Sequence, residues 1–266
     1  MRKTTTAVLL GGIATAALAV PASADEHESA VSVLHGVPGL TVDVYVNGEE
    51  TIPDFEPGTL TDELMLPAGS YDIEIYADGE TPESDDPALS AQGLEVPGGA
   101  NLTLAAHLDA DGAPMLSAFV NDISQTAAGE ARLTVRHAAA APAVDIRAGG
   151  SPVIEGLTNP NEQVLDLPAG TVSADVALAG TEDVVLGPAD VNLAEGTNTI
   201  VYAWGSAEDG SLDLAVQTID GLHSSPEGVP SGQGGLTDSN ALMILALAGA
   251  AGAVMAGRYV VRTARV

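Results

Sequence analysis

Cysteine is absent from this chain, which excludes disulfide crosslinks, thiolate metal sites, a cysteine nucleophile and a lipid anchor on an N-terminal cysteine. Aromatic residues make up only 3%, with one tryptophan. Basic side chains are scarce too: 8 Lys and Arg stand against 37 Asp and Glu, a formal net charge of -29. So negative a surface repels nucleic acid and anionic lipid. It either attracts cations and basic partners or only keeps an exported protein soluble. Helical periodicity of useful length is missing between residues 30 and 220. What the chain does hold, across 266 residues, is 45% hydrophobic content, 30 Gly and 16 Pro. That is enough apolar material for cores in about two domains, and the turn-rich composition favours many short strands.

Residues 1–24 have the form of a secretory signal. Arg2 and Lys3 make a basic start, Ala7 to Val20 an apolar run, and Ala22-Ser23-Ala24 a small-residue cleavage site. Near the other end, residues 223–240 are rich in Ser, Gly and Pro and read as a flexible linker. Residues 241–261 read as a transmembrane helix of about 30 Å, and residues 262–266 as a basic cytoplasmic tail. Arg258, Arg262 and Arg265 flank this segment, whereas only Arg132, Arg136 and Arg147 occur between leader and membrane run. The positive-inside rule then predicts a single-pass protein with its N-terminal domains extracellular. Val229-Pro230-Ser231-Gly232 loosely resembles a sortase-type sorting signal, so processing to the wall is an alternative fate.

From Ala30 the pattern has a period of two. Strands are expected around Val31–Val33, Val42–Val46, Leu60–Leu66, Tyr71–Ala77, Leu89–Val96, Leu102–Leu108 and Leu116–Val120. Turns at Asn47-Gly48, Leu66-Pro67-Ala68-Gly69 and Asp111-Gly112 separate them. The chain then repeats itself: His35 and His137, Asp43 and Asp145, and Gly48 and Gly150 are each 102 positions apart. Leu167-Pro168-Ala169-Gly170 echoes the first Leu-Pro-Ala-Gly, and Asn198 matches Asn101. Self-similarity at a fixed period marks a tandem unit. The expected fold is all-β, two tandem immunoglobulin-like or transthyretin-like β-sandwiches over residues 25–123 and 131–222, joined by a weakly patterned linker from Ser124 to Glu130.

Chemistry is harder to find. No G-x-S-x-G elbow occurs, and His27-Glu28 lacks the second histidine of a zinc protease helix. No catalytic, cofactor-binding or metal-ligating residue is assigned and no cofactor is expected. The repeated pairs His35 with Asp43 and His137 with Asp145 are read as structural, locking the opening hairpin of each copy by a hydrogen bond; a pH-sensitive pair or half a cation site is the functional alternative. Asp109-Ala110-Asp111-Gly112 opens like a calcium loop, but without the closing Glu it reads as a hairpin turn.

His-x7-Asp between V-x-V strands, followed by Leu-Pro-Ala-Gly and an alternating strand behind a signal peptide, resembles the bacterial secreted family known as domain of unknown function 4397, in two tandem copies. The resemblance implies a β-sandwich of envelope proteins with no established catalytic residues. The Ala-, Gly- and Val-rich, Lys-poor usage resembles an actinobacterial proteome. The sequence thus leads to a non-enzymatic, membrane-anchored protein that displays two β-sandwich modules at the cell envelope. An unidentified envelope protein or glycan is the expected partner, and the alternative is a cation- or carbohydrate-binding surface module.

Overall fold

The computed structural model describes residues 28–223. The expected leader, membrane helix and basic tail lie outside the described residues, as does the linker after His223. The described residues contain no helix, hence none long and apolar enough to cross a membrane.

They form sixteen strands. The first eight are β1 (Ser29–Gly36), β2 (Val42–Val46), β3 (Glu49–Phe55), β4 (Leu64–Leu66), β5 (Gly69–Ala77), β6 (Leu89–Val96), β7 (Asn101–Leu108) and β8 (Pro114–Val120). The second eight are β9 (Glu130–Ala140), β10 (Val144–Ala148), β11 (Ser151–Leu157), β12 (Glu162–Pro168), β13 (Gly170–Leu178), β14 (Val184–Leu193), β15 (Asn198–Ser206) and β16 (Asp213–Ile219). Each set makes two four-stranded sheets. Orders β4-β1-β7-β8 and β3-β2-β5-β6 in the first recur as β12-β9-β15-β16 and β11-β10-β13-β14 in the second. Even the parallel pair repeats: β1 runs with β7 and β9 with β15, aligning Ala30 with Asn101 and Arg132 with Asn198.

The strand missed in the sequence reading is β3, whose Glu49, Glu50, Pro53 and Asp54 hide any alternation. Its hairpin with β2 turns on Asn47-Gly48, both at positive φ (52° and 80°), the type I′ geometry whose twist suits paired strands. A second correction concerns the opening hairpin. β1 joins β4 and β7 whereas β2 joins β3 and β5, so the chain crosses from one sheet to the other between them. Each sandwich is closed by its own apolar core, one around Val31, Val44, Ile75 and Leu104, the other around Leu133, Ile146, Val176 and Val201.

β7 and β15 are buried at every position, so both of their faces are covered. The second cover is the other sandwich. Leu34, Ala105 and Phe119 pack with Ile200, Tyr202, Trp204, Ala215 and Ile219 in a third core between the β1-β7 and β9-β15 sheets. The packing is reciprocal: Ser32 of β1 accepts from the Gln217 amide of β16 at 3.3 Å, and the Arg136 guanidinium of β9 lies 4.4 Å from the Phe119 ring of β8. Gln217 Oε1 accepts from Thr103 at 2.9 Å and from Tyr202 at 2.7 Å, satisfying buried polar groups of both sandwiches. The expected linker is part of this joint. Thr126 is buried, its amide donates to the Leu222 carbonyl at 2.8 Å, and it bridges to His223.

Trp204 enters the joint beside Gly36 and Gly58. Gly58 has φ +79°, and a Cβ there would stand 2.7 Å from the indole. Gly58→Ala therefore combines a disfavoured backbone with overpacking and is expected to reduce unfolding free energy by about 1–3 kcal/mol in denaturant titration.

Candidate functional site

The repeated histidines and aspartates do not pair. His35 Nε2 donates to the Leu40 carbonyl at 2.7 Å while its Nδ1 faces the Val37 amide at 3.4 Å. His137 repeats this with Pro142 at 3.0 Å and Ala139 at 3.4 Å. Both imidazoles thus close the loop that follows their own strand. Asp43 Oδ1 accepts from the Asp54 amide at 2.8 Å, and Asp145 accepts from Gly156 and Gly180 at 2.7 and 2.8 Å. His35 and Asp43 lie on strands of different sheets, as do His137 and Asp145, and each side chain bonds to nearby backbone instead. Burial lowers both histidines below their ordinary value, against the loop carbonyls that favour protonation. The Gly180 and Gly156 amides hold the Asp145 carboxyl below the usual range.

The Asp109 loop is the hairpin between β7 and β8: Asp109 Oδ1 accepts from the amides of Asp111 and Ala113 at 2.9 and 2.8 Å. A different acidic group is more compact. Asp43, Asp54 and Asp78 bring one carboxylate oxygen each within 4.8 Å of one another, with Asp43 buried and the other two exposed. The second copy keeps only Asp145, having Gly156 and Ala179 at the positions equivalent to Asp54 and Asp78.

The three central arginines are all ion-paired. Arg132 meets Asp122 and Asp166, both at 2.9 Å, Arg136 meets Glu162 at 2.7 Å, and Arg147 meets Asp175 at 2.6 Å. Arg136 is 1% exposed and also donates to the Tyr202 hydroxyl at 2.7 Å. Sequence reasoning treated these residues only as charge. The legible signal was in the strands themselves, since NLTLAAHL and NTIVYAWGS carry apolar or small residues at both parities, the pattern of strands covered on both sides.

Beside the joint the sandwiches leave a cleft of about 730 Å³. Its walls are Leu60 to Glu63, leading into β4, and Val216 to Asp220, ending β16, with Asn101, Ile123 and Leu222 between them. Pockets of a few hundred to about a thousand Å³ between domains are the usual seats of ligands. Asp62, Glu63 and Asp220 make the cleft acidic, Leu60, Ile123 and Leu222 add apolar lining, and the Asn101 amide donates to Glu63 at 2.8 Å. Four consecutive residues of β16, Val216 to Ile219, and the following Asp220 line it although side chains alternate in direction along a strand, so the cleft runs along the edge of the strand.

No curated protein matches the chain. A family model matches residues 29–147, which span the first sandwich and the opening strands of the second, and ends within β10. Over that stretch the chain is similar to the domain described as domain of unknown function (DUF4397), in keeping with the resemblance of its His, Asp and Leu-Pro-Ala-Gly pattern.

Proposed function

We propose that this is a membrane-anchored envelope protein that presents its two sandwiches outside the cell as one joined binding module, without catalysis. The cleft between the sandwiches carries this reading: it is large, mixed in polarity and built from both halves of a shared core. Supporting the anchor are the apolar run over 241–261, the arginines that follow it and the leader-like residues 1–24. Supporting an interaction role, the buried rings of His35, His107 and His137 are each engaged by backbone or hydroxyl groups.

Fractionation tests the anchor. The full chain is expected in carbonate-washed membranes, and a chain ending at residue 240 in the medium; recovery only after digestion of the wall would point instead to sortase-type processing. A second reading, cation binding, is favoured by the Asp43, Asp54 and Asp78 carboxylates, an oxygen set suited to a hard divalent ion. Calorimetry with calcium is expected to give heat that Asp54→Asn/Asp78→Asn abolishes; no heat with the unaltered protein removes this reading.

A further inference from the structure

We infer that the acidic cleft receives an extended peptide whose side chains alternate between basic and apolar, added as a further strand to the free edge of β16. The inference rests on the reading of this cleft as the binding site. Three observations carry it.

The first is the edge. β16 pairs with β15 alone, and among the described residues no backbone group outside that pairing meets Leu214 to Ile219. An open strand edge along a cleft offers its amides and carbonyls to an incoming strand, which supplies affinity independent of side chains.

The second is charge. Asp62, Glu63 and Asp220 face the cleft, while Arg132, Arg136 and Arg147 are each held by a carboxylate elsewhere. No cationic side chain of the described residues balances the cleft.

The third comes from the repeat. The parallel registers make Arg132 the counterpart of Ala30 and Asn198 the counterpart of Asn101. In the second copy Arg132 fills the space at this position, pairing with Asp122 and Asp166 and donating to the Ser124 carbonyl at 3.0 Å, while Asn198 donates to the Asp122 carbonyl at 3.1 Å. In the first copy Ala30 is opposite Met65, and the counterpart of Asp122 is Asp220, a wall of the cleft. Where one half of the molecule supplies its own guanidinium to such an acidic corner, the other half leaves the corner open to a guanidinium from outside. The alternation follows from strand geometry: successive side chains of an added strand point to opposite sides, and the cleft offers both carboxylates and the apolar Leu60, Ile123 and Leu222 to meet them.

The test uses the full chain in detergent micelles and labelled hexapeptides at low salt. A peptide alternating Arg and Val is expected to bind, and to bind at least about tenfold more weakly to Asp62→Asn/Asp220→Asn. A Glu-Val peptide is expected not to bind. Methylating the backbone amides of the Arg-Val peptide keeps its charge and is expected to abolish binding, and hydrogen exchange over residues 213–219 is expected to slow only with the unmethylated peptide. Equal binding of the methylated peptide, or of arginine amide alone, overturns strand addition. Binding unaffected by Asp62→Asn/Asp220→Asn overturns the site. If no peptide binds but a glycan does so in a manner sensitive to Asp62→Asn/Asp220→Asn, the inference fails while the cleft remains a binding site; if no peptide, glycan or envelope protein binds there, both fail.

Discussion

Replacing Arg136 with alanine is expected to reduce the unfolding free energy by about 3–5 kcal/mol, the range for breaking a buried, hydrogen-bonded ion pair. The guanidinium lies in the joint between the sandwiches, 2.7 Å from both Glu162 and the Tyr202 hydroxyl and stacked on Phe119 of the other half. Its removal opens a cavity, leaves the buried Tyr202 hydroxyl with Gln217 as its remaining partner, and strips a cation from an already anionic protein. Arg136 touches strands of both halves, so the loss is expected to appear as weakened coupling. Denaturant titration of Arg136→Ala is expected to show two transitions where the unaltered chain shows one, and a single transition at unchanged midpoint would refute the role. Glu162→Gln tests the charge alone and is expected to be milder, because the hydrogen bond to Tyr202 and the contact with Phe119 persist.

The second large effect is with pH. His35, His107 and His137 are buried, and burial lowers all three below the ordinary histidine value of 6.5; carbonyl hydrogen bonds oppose this, and the nearness of His137 lowers His107 further. A group whose folded pKa is depressed binds more protons in the unfolded chain, so stability rises with pH across the window between the two values. The contribution of these histidines is therefore fully present above about 6.5 and is lost as pH falls from there toward their folded values. Each contributes a slope of at most about 1.4 kcal/mol per pH unit, so the three together can reach about 4 kcal/mol per pH unit. The geometry supplies the cause. His35 and His137 each donate from Nε2 and present Nδ1 to an amide N–H, so a second proton would sit against a donor. Thermal melts from pH 8 to 5 are expected to show a falling Tm with onset near 6.5, shallower in His137→Asn. A Tm flat to pH 5 would contradict the burial of the three rings. Asp145 adds a separate acid limb: its lowered pKa stabilises the fold above the ordinary carboxyl range, and that stability is lost as pH falls below about 3.8.

Neither effect could be read along the chain. Arg132 and Arg136 alternate in sequence as surface residues of a strand do, and His35 stands eight residues from Asp43, a spacing that suits a hairpin as well as it suits a crossing between sheets. The choice between these rests on where β1 finds its partners. β1 lies beside β7, some seventy positions on, because that parallel pair buries Val31 and Val33 in the first core while setting Leu34 in the joint. β3 escaped notice for a local reason: an exposed edge strand has little to bury, so Glu49, Glu50 and Asp54 are tolerated in it.

The sequence by itself determined the all-β class, the twofold use of one unit, the turns and most strands, β6 at its observed bounds from Leu89 to Val96. These are local matters, settled by period-two alternation and by turn residues within a few positions of one another. The tertiary structure decided which sheet each strand enters, that the two units share a core, that Arg132 and Arg136 are consumed inside the molecule, and that an acidic cleft opens beside the edge of β16. The reason is distance along the chain. The hydrogen bond from Gln217 to Ser32 joins residues 185 positions apart, and no pattern within either repeat encodes the surface of the other.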